Sequence, residues 1–307
     1  MNPEILGGVF LGWSLGANDS ANVFGTAVSS FMVNYRVATI IIAIFVLIGA
    51  LLEGAPGLET LGSITEQSFN TAFLISVSAA LTVTIMTILK IPVSTSQAVV
   101  GGILGIGILQ KHIEFHYLSK VIICWIGTPI GAIFFSIILY PSFAFFLRKL
   151  NMHFLTYDRM MRFLLILAGI YGAYALGANN VANVTGVFYE AGMVSKFEAL
   201  LIGGLSIGFG ALTYSRNVMI TVGRKIIPMD AFSAFISVLS EAITVHMYAM
   251  IGVPVSTSQA LVGGVVGIGI VKGLRMVSGK TIIKIVIGWF LTPALGMAFS
   301  ILLSHFF

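Results

Sequence analysis

Long apolar stretches occupy most of this chain of 307 residues. They cover residues 5–33, 37–52, 72–89, 98–109 and 121–147, and a similar series follows from residue 163 to the end. About 20 apolar residues in a helix are enough to cross a bilayer core. With 58% hydrophobic and 9% charged residues, the chain cannot cover itself with a water-soluble surface. We therefore expect an all-α integral membrane protein, because a helix satisfies its own backbone polar groups in lipid.

The same composition argues against several other classes of protein. The formal charge is +5, but the basic residues lie in short connections between apolar runs, without interleaved aromatic residues, so we expect no nucleic-acid binding. One cysteine, Cys124, cannot form an internal disulfide or a thiolate metal cluster. The opening residues "MNPEI" lack the basic region of a secretory signal, so we expect the first apolar segment to be retained.

Two motifs occur twice, and the two pairs have almost the same spacing. "GANDSANV" at 16–23 returns as "GANNVANV" at 177–184, and "PVSTSQA" at 92–98 returns at 254–260. A weaker pair, "WIGTP" at 125–129 and "WFLTP" at 289–293, is separated by a similar length of chain. Near-equal spacings in the same order predict a duplicated chain. The copies are 1–147 and 163–307, joined by a polar linker at 148–162 that we expect to be cytoplasmic.

The distribution of Lys and Arg predicts the orientation in the membrane, because these residues are enriched in cytoplasmic loops. We place the N-terminus outside and give each copy an odd number of crossings, about five segments of about 20 residues. Only three of the 16 basic residues then lie outside, namely Lys111, Lys120 and Lys196. This topology predicts two inverted repeats in the cytoplasmic (inner) membrane, with both termini outside. Two connections at equivalent places in the copies agree with this inversion, because only one of them is basic. The first carries Glu53, Glu59 and Glu66, and its counterpart carries Arg216, Arg224 and Lys225.

Residues 72–109, and 231–271 in the second copy, allow two arrangements: two full spans or one re-entrant hairpin. Pro92 followed by Ser, Thr, Ser and Gln is typical of a helix start, and its place between apolar runs favours the hairpin. The length of the run at 72–89 is an argument for full spans.

The "GANDSANV" motif lies about 15 Å into its helix, near the middle of a core about 30 Å thick. Gly16 precedes Asn18 and Asp19, so we expect a weakened or broken helix there, which membrane proteins tolerate where it lines a site. Polar groups could instead join helices by hydrogen bonds. A repeated set that includes a carboxylate favours an ion or substrate path.

The "PVSTSQ" motif predicts an anion site. A proline in the first turn and hydroxyls at the N-cap leave backbone N–H groups and the positive end of the helix dipole facing one place. A simple N-cap at the membrane surface is the alternative. Such a cap needs only one hydroxyl, and it does not explain why the same motif occurs twice. Two such helix starts together would hold a tetrahedral oxyanion. The predicted anion ligands are Asn22, Thr95, Ser96, Gln97, Asn183, Thr257, Ser258 and Gln259.

An anion beside Asp19 requires a cation, because neither motif contains Lys or Arg. Carboxylate, amide and hydroxyl oxygens suit Na⁺. The predicted sodium ligands are Asn18, Asp19, Ser94, Asn179, Asn180 and Ser256, with Glu241 as either an accessory ligand or a packing residue. We expect no resident cofactor.

"GANDSANVFGTAV", "GANNVANVTG" and the two "PVSTSQ" stretches resemble the paired signatures of the inorganic phosphate transporter (PiT) family. "TVGRKIIPMDAFSA" at 221–234 also resembles its second half. The resemblance implies an inverted-repeat secondary transporter that moves phosphate with Na⁺ or H⁺, with the motif residues lining the site, and a homodimer. The chain departs from the family at Gln97 and Gln259, where His is common, and at Asn180, where Asp is common. Glutamine cannot titrate, so sodium coupling is favoured over proton coupling.

Three alternatives remain at this point. Sulfate has the shape of phosphate and would suit the same site. An enzyme acting on phosphorylated lipids would need a general base or a metal triad near "PVSTSQ", and none is present. A cation exchanger would leave the helix starts unexplained. Outside the motifs, we interpret Glu53 as a solvated acid at a span end and His246 as an isolated histidine.

Overall fold

The computed structural model describes residues 3–89, 93–223, 229–273 and 279–306, without the side chains of 279–282 and 284. Over these residues the chain is all helical and contains no strand. Its helices, in chain order, are α1 (Ile5–Ser29), α2 (Tyr35–Glu53), α3 (Ala55–Gly62), α4 (Phe69–Ile88), α5 (Thr95–Gln110), α6 (Phe115–Lys149), α7 (Phe154–Glu190), α8 (Lys196–Thr221), α9 (Ala231–Met250), α10 (Thr257–Lys272) and α11 (Gly279–Leu303).

Seven of the described helices are long and apolar enough to cross a membrane: α2, α4, α6, α7, α8, α9 and the part of α11 from Ile285 to Leu303. The prediction of an all-α, multi-pass membrane protein is therefore confirmed. The helices α5 and α10, which follow the "PVST" motifs, are apolar but only 16 residues long. Whether α4–α5 and α9–α10 form re-entrant hairpins stays a prediction.

Several helices of the first half have a counterpart in the second half that begins about as far along the chain as the repeated motifs are apart. The start of α2 matches that of α8 in this way, as the start of α4 matches that of α9 and the start of α5 matches that of α10. The packing recurs as well, since α1 packs on α8 as α2 packs on α7, and α5 packs on α11 as α6 packs on α10. This is the pattern that a duplicated chain produces. The opposite orientation of the copies and their boundaries stay predictions.

Both helices that carry the "GAN" motif are unbroken, so the predicted break after Gly16 is wrong. A Cβ added at Gly16 would lie 1.9 Å from the backbone oxygen of Ile207, and one at Gly177 would lie 2.0 Å from that of Val46. Each glycine thus permits close contact between two helices. That packing outweighs the cost of glycine in a helix, which is about 1 kcal/mol.

The repeated glycines of α5 and α10 serve the same purpose. A Cβ at Gly101 would lie 2.2 Å from the backbone oxygen of Pro293, and one at Gly263 would lie 2.4 Å from that of Pro129. The largest apolar cluster contains Ile75 and Val99 of the first half and Phe188 of the second, so the two halves share a core.

Helix α6 continues to Lys149 and α7 begins at Phe154, so the polar stretch 148–162 is mostly helical. Its role as a linker stays a prediction. Pro92, Arg224, Lys225 and part of the stretch 221–234 lie outside the described residues.

Candidate functional site

The two "PVSTSQ" motifs begin helices, as predicted. Ser94 is the N-cap of α5, and its hydroxyl accepts the N–H of Gln97 at 3.4 Å. Ser256 is the N-cap of α10, and its hydroxyl accepts the N–H of Gln259 at 3.2 Å. Pro254 lies two residues before the N-cap and not in the first turn, which corrects that detail. There it favours the extended backbone that leads into the cap.

The two helix starts lie beside each other. The hydroxyl of Ser258 donates to the backbone oxygen of Val93, just before α5, at 3.1 Å. The hydroxyls of Ser94 and Ser96 lie 3.3 Å apart at the start of α5. Because a first helical turn has N–H groups without intrahelical partners, two such turns side by side form a donor-rich region.

The first "GAN" motif contacts the second "PVST" motif. Asn22 on α1 donates its amide hydrogens to the hydroxyls of Thr257, at 3.0 Å, and Ser258, at 3.1 Å. The hydroxyl of Thr257 in turn donates to Asp19 at 3.2 Å. Motifs from opposite ends of the chain therefore form one polar site.

Asp19 is 3% exposed and bonded on both oxygens. Asn18 donates to one carboxylate oxygen at 2.8 Å, and Thr257 donates to the other. Thr87 of α4 holds Asn18 in place by donating to its amide oxygen at 3.2 Å. No ion pair to Asp19 is found within the described ranges. Its charge is therefore left without a counterion there.

The second "GAN" motif is also buried and supports α10. Asn179 donates to the backbone oxygen of Val255 at 2.8 Å and accepts the N–H of the same residue at 3.0 Å. Asn183 donates to the amide oxygen of Asn180 at 2.8 Å. The bonds of Asn179 satisfy the backbone N–H and C=O of Val255, in the extended segment ahead of α10, and hold α7 against that segment.

Every predicted site residue is buried except Asn18 and Ser258, which are partly exposed. Of eleven buried side-chain atoms without a hydrogen-bond partner in the described part of the chain, six belong to predicted site residues. They are Thr95 Oγ1, Gln97 Oε1, Asn180 Nδ2, Asn183 Oδ1, Glu241 Oε2 and Gln259 Oε1. An unpartnered buried polar atom costs about 1 to 3 kcal/mol. All of them except Glu241 lie in the repeated motifs, which makes the motif region the candidate ligand site.

The family model for the phosphate transporter family, PHO4, matches residues 15–300. The chain belongs to the phosphate transporter family. It is a transporter rather than an enzyme. A relative from Methanocaldococcus jannaschii, named "Putative phosphate permease", is 30% identical over 305 residues, covering 99% of this chain and 97% of that protein. The sulfate permease CysP of Bacillus subtilis is 28% identical over 309 residues, covering 99% of this chain and 87% of that protein.

A solved structure named "The sodium-dependent phosphate transporter" has the same fold. Its TM-score is 0.84 and its sequence is 24% identical, with 99% of this chain and 98% of that chain covered. The two chains therefore share one helical fold over nearly their whole lengths.

In this family member the two copies of the site are bonded differently. Asn22 is bonded to the start of α10, whereas Asn183, its counterpart in the second "GAN" motif, makes no bond to the start of α5 in the described structure. Among the described residues, the amide oxygen of Asn183 and the hydroxyl of Thr95 have no hydrogen-bond partner. The site is thus hydrogen-bonded between α1 and α10, and no corresponding bond joins α7 to α5 in the described structure.

The sequence interpretation missed a second polar cluster, made by Glu53, His246 and Tyr171. The carboxylate of Glu53 is bonded to Nε2 of His246, and the hydroxyl of Tyr171 is 2.9 Å from Nδ1. Glu53 is an acid at the end of α2 with a side chain that is 40% exposed, as expected, but it is also bonded to His246. The interpretation of His246 as isolated is wrong. Glu53 belongs to the first half of the chain and His246 to the second, so no local pattern pairs them.

Proposed function

We propose that this transporter carries inorganic phosphate together with Na⁺ across the cytoplasmic membrane, by alternating access to one buried site. The observation that carries the proposal is Asp19, a buried carboxylate bonded to the start of α10 and without a cationic partner among the described residues. A membrane-embedded acid is costly to maintain and marks ion or substrate paths.

The anion would bind at the adjoining starts of α5 and α10. Backbone N–H groups and helix dipoles attract negative charge there. The hydroxyls of Thr95 and Ser96 offer further donors. Asn22, Thr257 and Ser258 donate to other groups of the site in the described conformation, so we propose that they turn to the anion when it binds. Gln97, Gln259 and Asn183 complete the proposed anion site, and their unpartnered amide oxygens suit an acidic hydrogen of the anion or a nearby cation.

The cation would bind beside Asp19, because phosphate and a carboxylate repel each other in a water-poor site. Oxygen ligands are the type that hard cations prefer. Asn18, Ser94, Asn179, Asn180 and Ser256 are the proposed neighbours in the sodium site. Glu241 on α9 interacts electrostatically with Asp19 and has one unpartnered oxygen, so we propose it as an accessory sodium ligand.

The comparisons support this proposal at the level of substrate and fold. The Methanocaldococcus jannaschii relative is named for phosphate, and the structure of the same fold is named for sodium dependence. We further propose inverted repeats, both termini outside, and a homodimer, as the distribution of basic residues and the family resemblance suggest.

Sulfate is the second candidate. It is favoured by one specific finding: a sulfate permease aligns with 99% of this chain at 28% identity. Phosphate and sulfate share a tetrahedral shape, but only phosphate carries a hydrogen at neutral pH. A proton-driven phosphate symporter is a less favoured alternative, since Gln97 and Gln259 cannot titrate.

Uptake of labelled phosphate into proteoliposomes tests the proposal. We expect an inward Na⁺ gradient to drive accumulation, a K⁺ gradient of the same size to give none, and a pH gradient without Na⁺ to give none. A tenfold excess of unlabelled sulfate should leave uptake nearly unchanged. Uptake driven equally by protons alone would refute sodium coupling, and full competition by sulfate would support the second candidate.

A further inference from the structure

A titratable cluster joins three helices and contains none of the proposed anion ligands. Glu53 is the last residue of α2, His246 lies in α9, and Tyr171 lies in α7. The imidazole is bonded at both nitrogens, to Glu53 through Nε2 and to Tyr171 through Nδ1. The ring of Tyr174 lies edge-on to the imidazole, with centroids 5.5 Å apart. Side chains of α2 and α9 are thus connected through one histidine.

This cluster can accept a proton without losing a hydrogen bond. When the imidazole is neutral, Nε2–H donates to the carboxylate and Nδ1 accepts from the tyrosine hydroxyl. When the imidazole is protonated, Nδ1–H donates to the tyrosine oxygen, because a hydroxyl can act in either role. The contact with Glu53 then becomes an ion pair. Histidine is the side chain whose charge ordinarily changes between pH 5 and 8.

Other charged groups around α9 act elsewhere along its length. Asp230 and Lys272 form an ion pair at its N-terminus, at 3.1 Å. Lys120 of α6 reaches the backbone oxygen of Ile251 at its C-terminus. Asp19 of α1 interacts electrostatically with Glu241. Cys124 of α6 interacts electrostatically with Tyr248. Within the described contacts, His246 is bonded only to Glu53 and Tyr171, and Glu53 is also bonded to the side chain of Tyr174.

The place that the internal repeat relates to this cluster carries no such cluster among the described residues. When the two halves are matched through their repeated motifs, Tyr171, Tyr174 and His246 correspond to Phe10, Trp13 and Thr84, and Glu53 corresponds to Tyr214. There Trp13 lies against Tyr214, with ring centroids 5.6 Å apart, and Ser14 is bonded to Thr84 at 3.1 Å. None of these side chains is a carboxylate or an imidazole. The titratable cluster therefore occurs at one of the two places that the internal repeat relates.

We propose that Glu53, His246 and Tyr171 form a proton-binding site, separate from the anion site, that ties α2 to α9 more strongly when occupied. The proton is a modulator here and not the coupled ion. Helix α9 carries Glu241, and α7 carries the second "GAN" motif, so the tether acts on helices that build the transport site. Acidification is expected to stabilise this arrangement and to slow the conformational cycle. The tether does not depend on which anion is carried.

Thermal unfolding of the purified full-length protein tests the proton site without any transport measurement. We compare the wild type, His246→Gln, Glu53→Gln and the double variant at pH 5.5 and pH 8. The coupling between the two positions should be greater at pH 5.5, by about 1 to 4 °C in melting temperature. His112→Gln is the matched control, because His112 forms an exposed pair with Glu114 at 3.1 Å. Equal coupling at both pH values would overturn the proposal.

Transport gives a second readout. The uptake rates of His246→Gln and the wild type are compared at the same pH, so that the ionisation of phosphate itself cancels. The ratio of variant to wild type should rise roughly three- to tenfold between pH 8 and pH 5.5. A ratio that stays constant would contradict the tether.

Tyr171→Phe keeps the ring and removes only the bond to Nδ1. It should reproduce part of the change seen with His246→Gln, and it serves as the test variant should His246→Gln fail to fold. If neither the wild type nor any variant takes up phosphate, the proposed function fails. The thermal measurement still decides whether the proton site exists.

Discussion

Asp19 is the acid in the two "GAN" motifs and has Asn180 as its counterpart in the second copy. The change Asp19→Asn keeps the size and most hydrogen bonds of the side chain but removes its charge. We expect sodium affinity to fall roughly ten- to hundredfold, which is about 1.4 to 3 kcal/mol. Phosphate affinity at fixed low sodium should fall as well, because coupling between two bound ligands is reciprocal. Sodium activation curves of uptake, with equilibrium binding of both ions, measure these effects.

Asn180→Asp is the matched variant, because it adds the same charge at the equivalent position. It should preserve binding only at higher sodium concentration, since a second buried carboxylate needs a further cation. If folded Asp19→Asn binds sodium and phosphate like the parent, the carboxylate has a structural role and the charge-balance argument is wrong.

The sequence predicted which side chains would meet at this site better than it predicted the cluster around His246. Thr257 and Asp19 belong to motifs whose composition and repetition already suggest chemistry, and they are bonded at 3.2 Å. Glu53 and His246 belong to no repeated motif. Their pairing depends on how α2 and α9 are placed by packing, which neither residue's local sequence reveals.

Helix α8 offers a direct test of the close packing that keeps α1 intact. A Cβ at Gly210 would lie 2.0 Å from the backbone oxygen of Trp13 on α1, whereas one at Gly208 would lie 3.3 Å from its nearest neighbour, Cα of Ala43. Gly210→Ala should displace α1 and lower stability by about 1 to 3 kcal/mol, with reduced uptake because α1 carries Asp19. Thermal unfolding and uptake rates of the two variants measure the difference.

Gly208→Ala is the matched control on the same helix, because a contact at 3.3 Å requires only a small adjustment. We expect it to differ little from the parent. Equal loss in both variants would show that contact with α1 is not the cause of the loss, since helix propensity favours alanine over glycine and would by itself raise stability. Helix existence was predictable from apolar runs, but the unbroken course of α1 past Gly16 was not, because the contacting residue, Ile207 of α8, belongs to the other half of the chain.

The two halves have nearly the same motifs but different bonds, and this difference could not be predicted from repeated sequence. Repeats of similar sequence have similar energies when their contacts are exchanged, so a second conformation with the opposite pattern is expected to be accessible. In it, Asn183 would donate to Thr95 and Ser96, and Asn22 would be released from α10. Such an exchange is how one buried site could be reached from each side in turn.

The last prediction concerns the balance between these two conformations. Asn22→Ala removes two hydrogen bonds from the described conformation and should favour the other one, and Asn183→Ala should have the opposite effect. Bonds of about 1 kcal/mol each correspond to population shifts of roughly five- to thirtyfold. Spin-label distances can measure the shift at two equivalent pairs of exposed positions, Leu6 with Ile270 and Leu167 with Ile108, in a Cys124→Ala background. The two variants should move the two distance distributions in opposite directions. Movement in the same direction, or none in folded variants, would show that the unequal bonding of Asn22 and Asn183 is a fixed feature and has no part in transport.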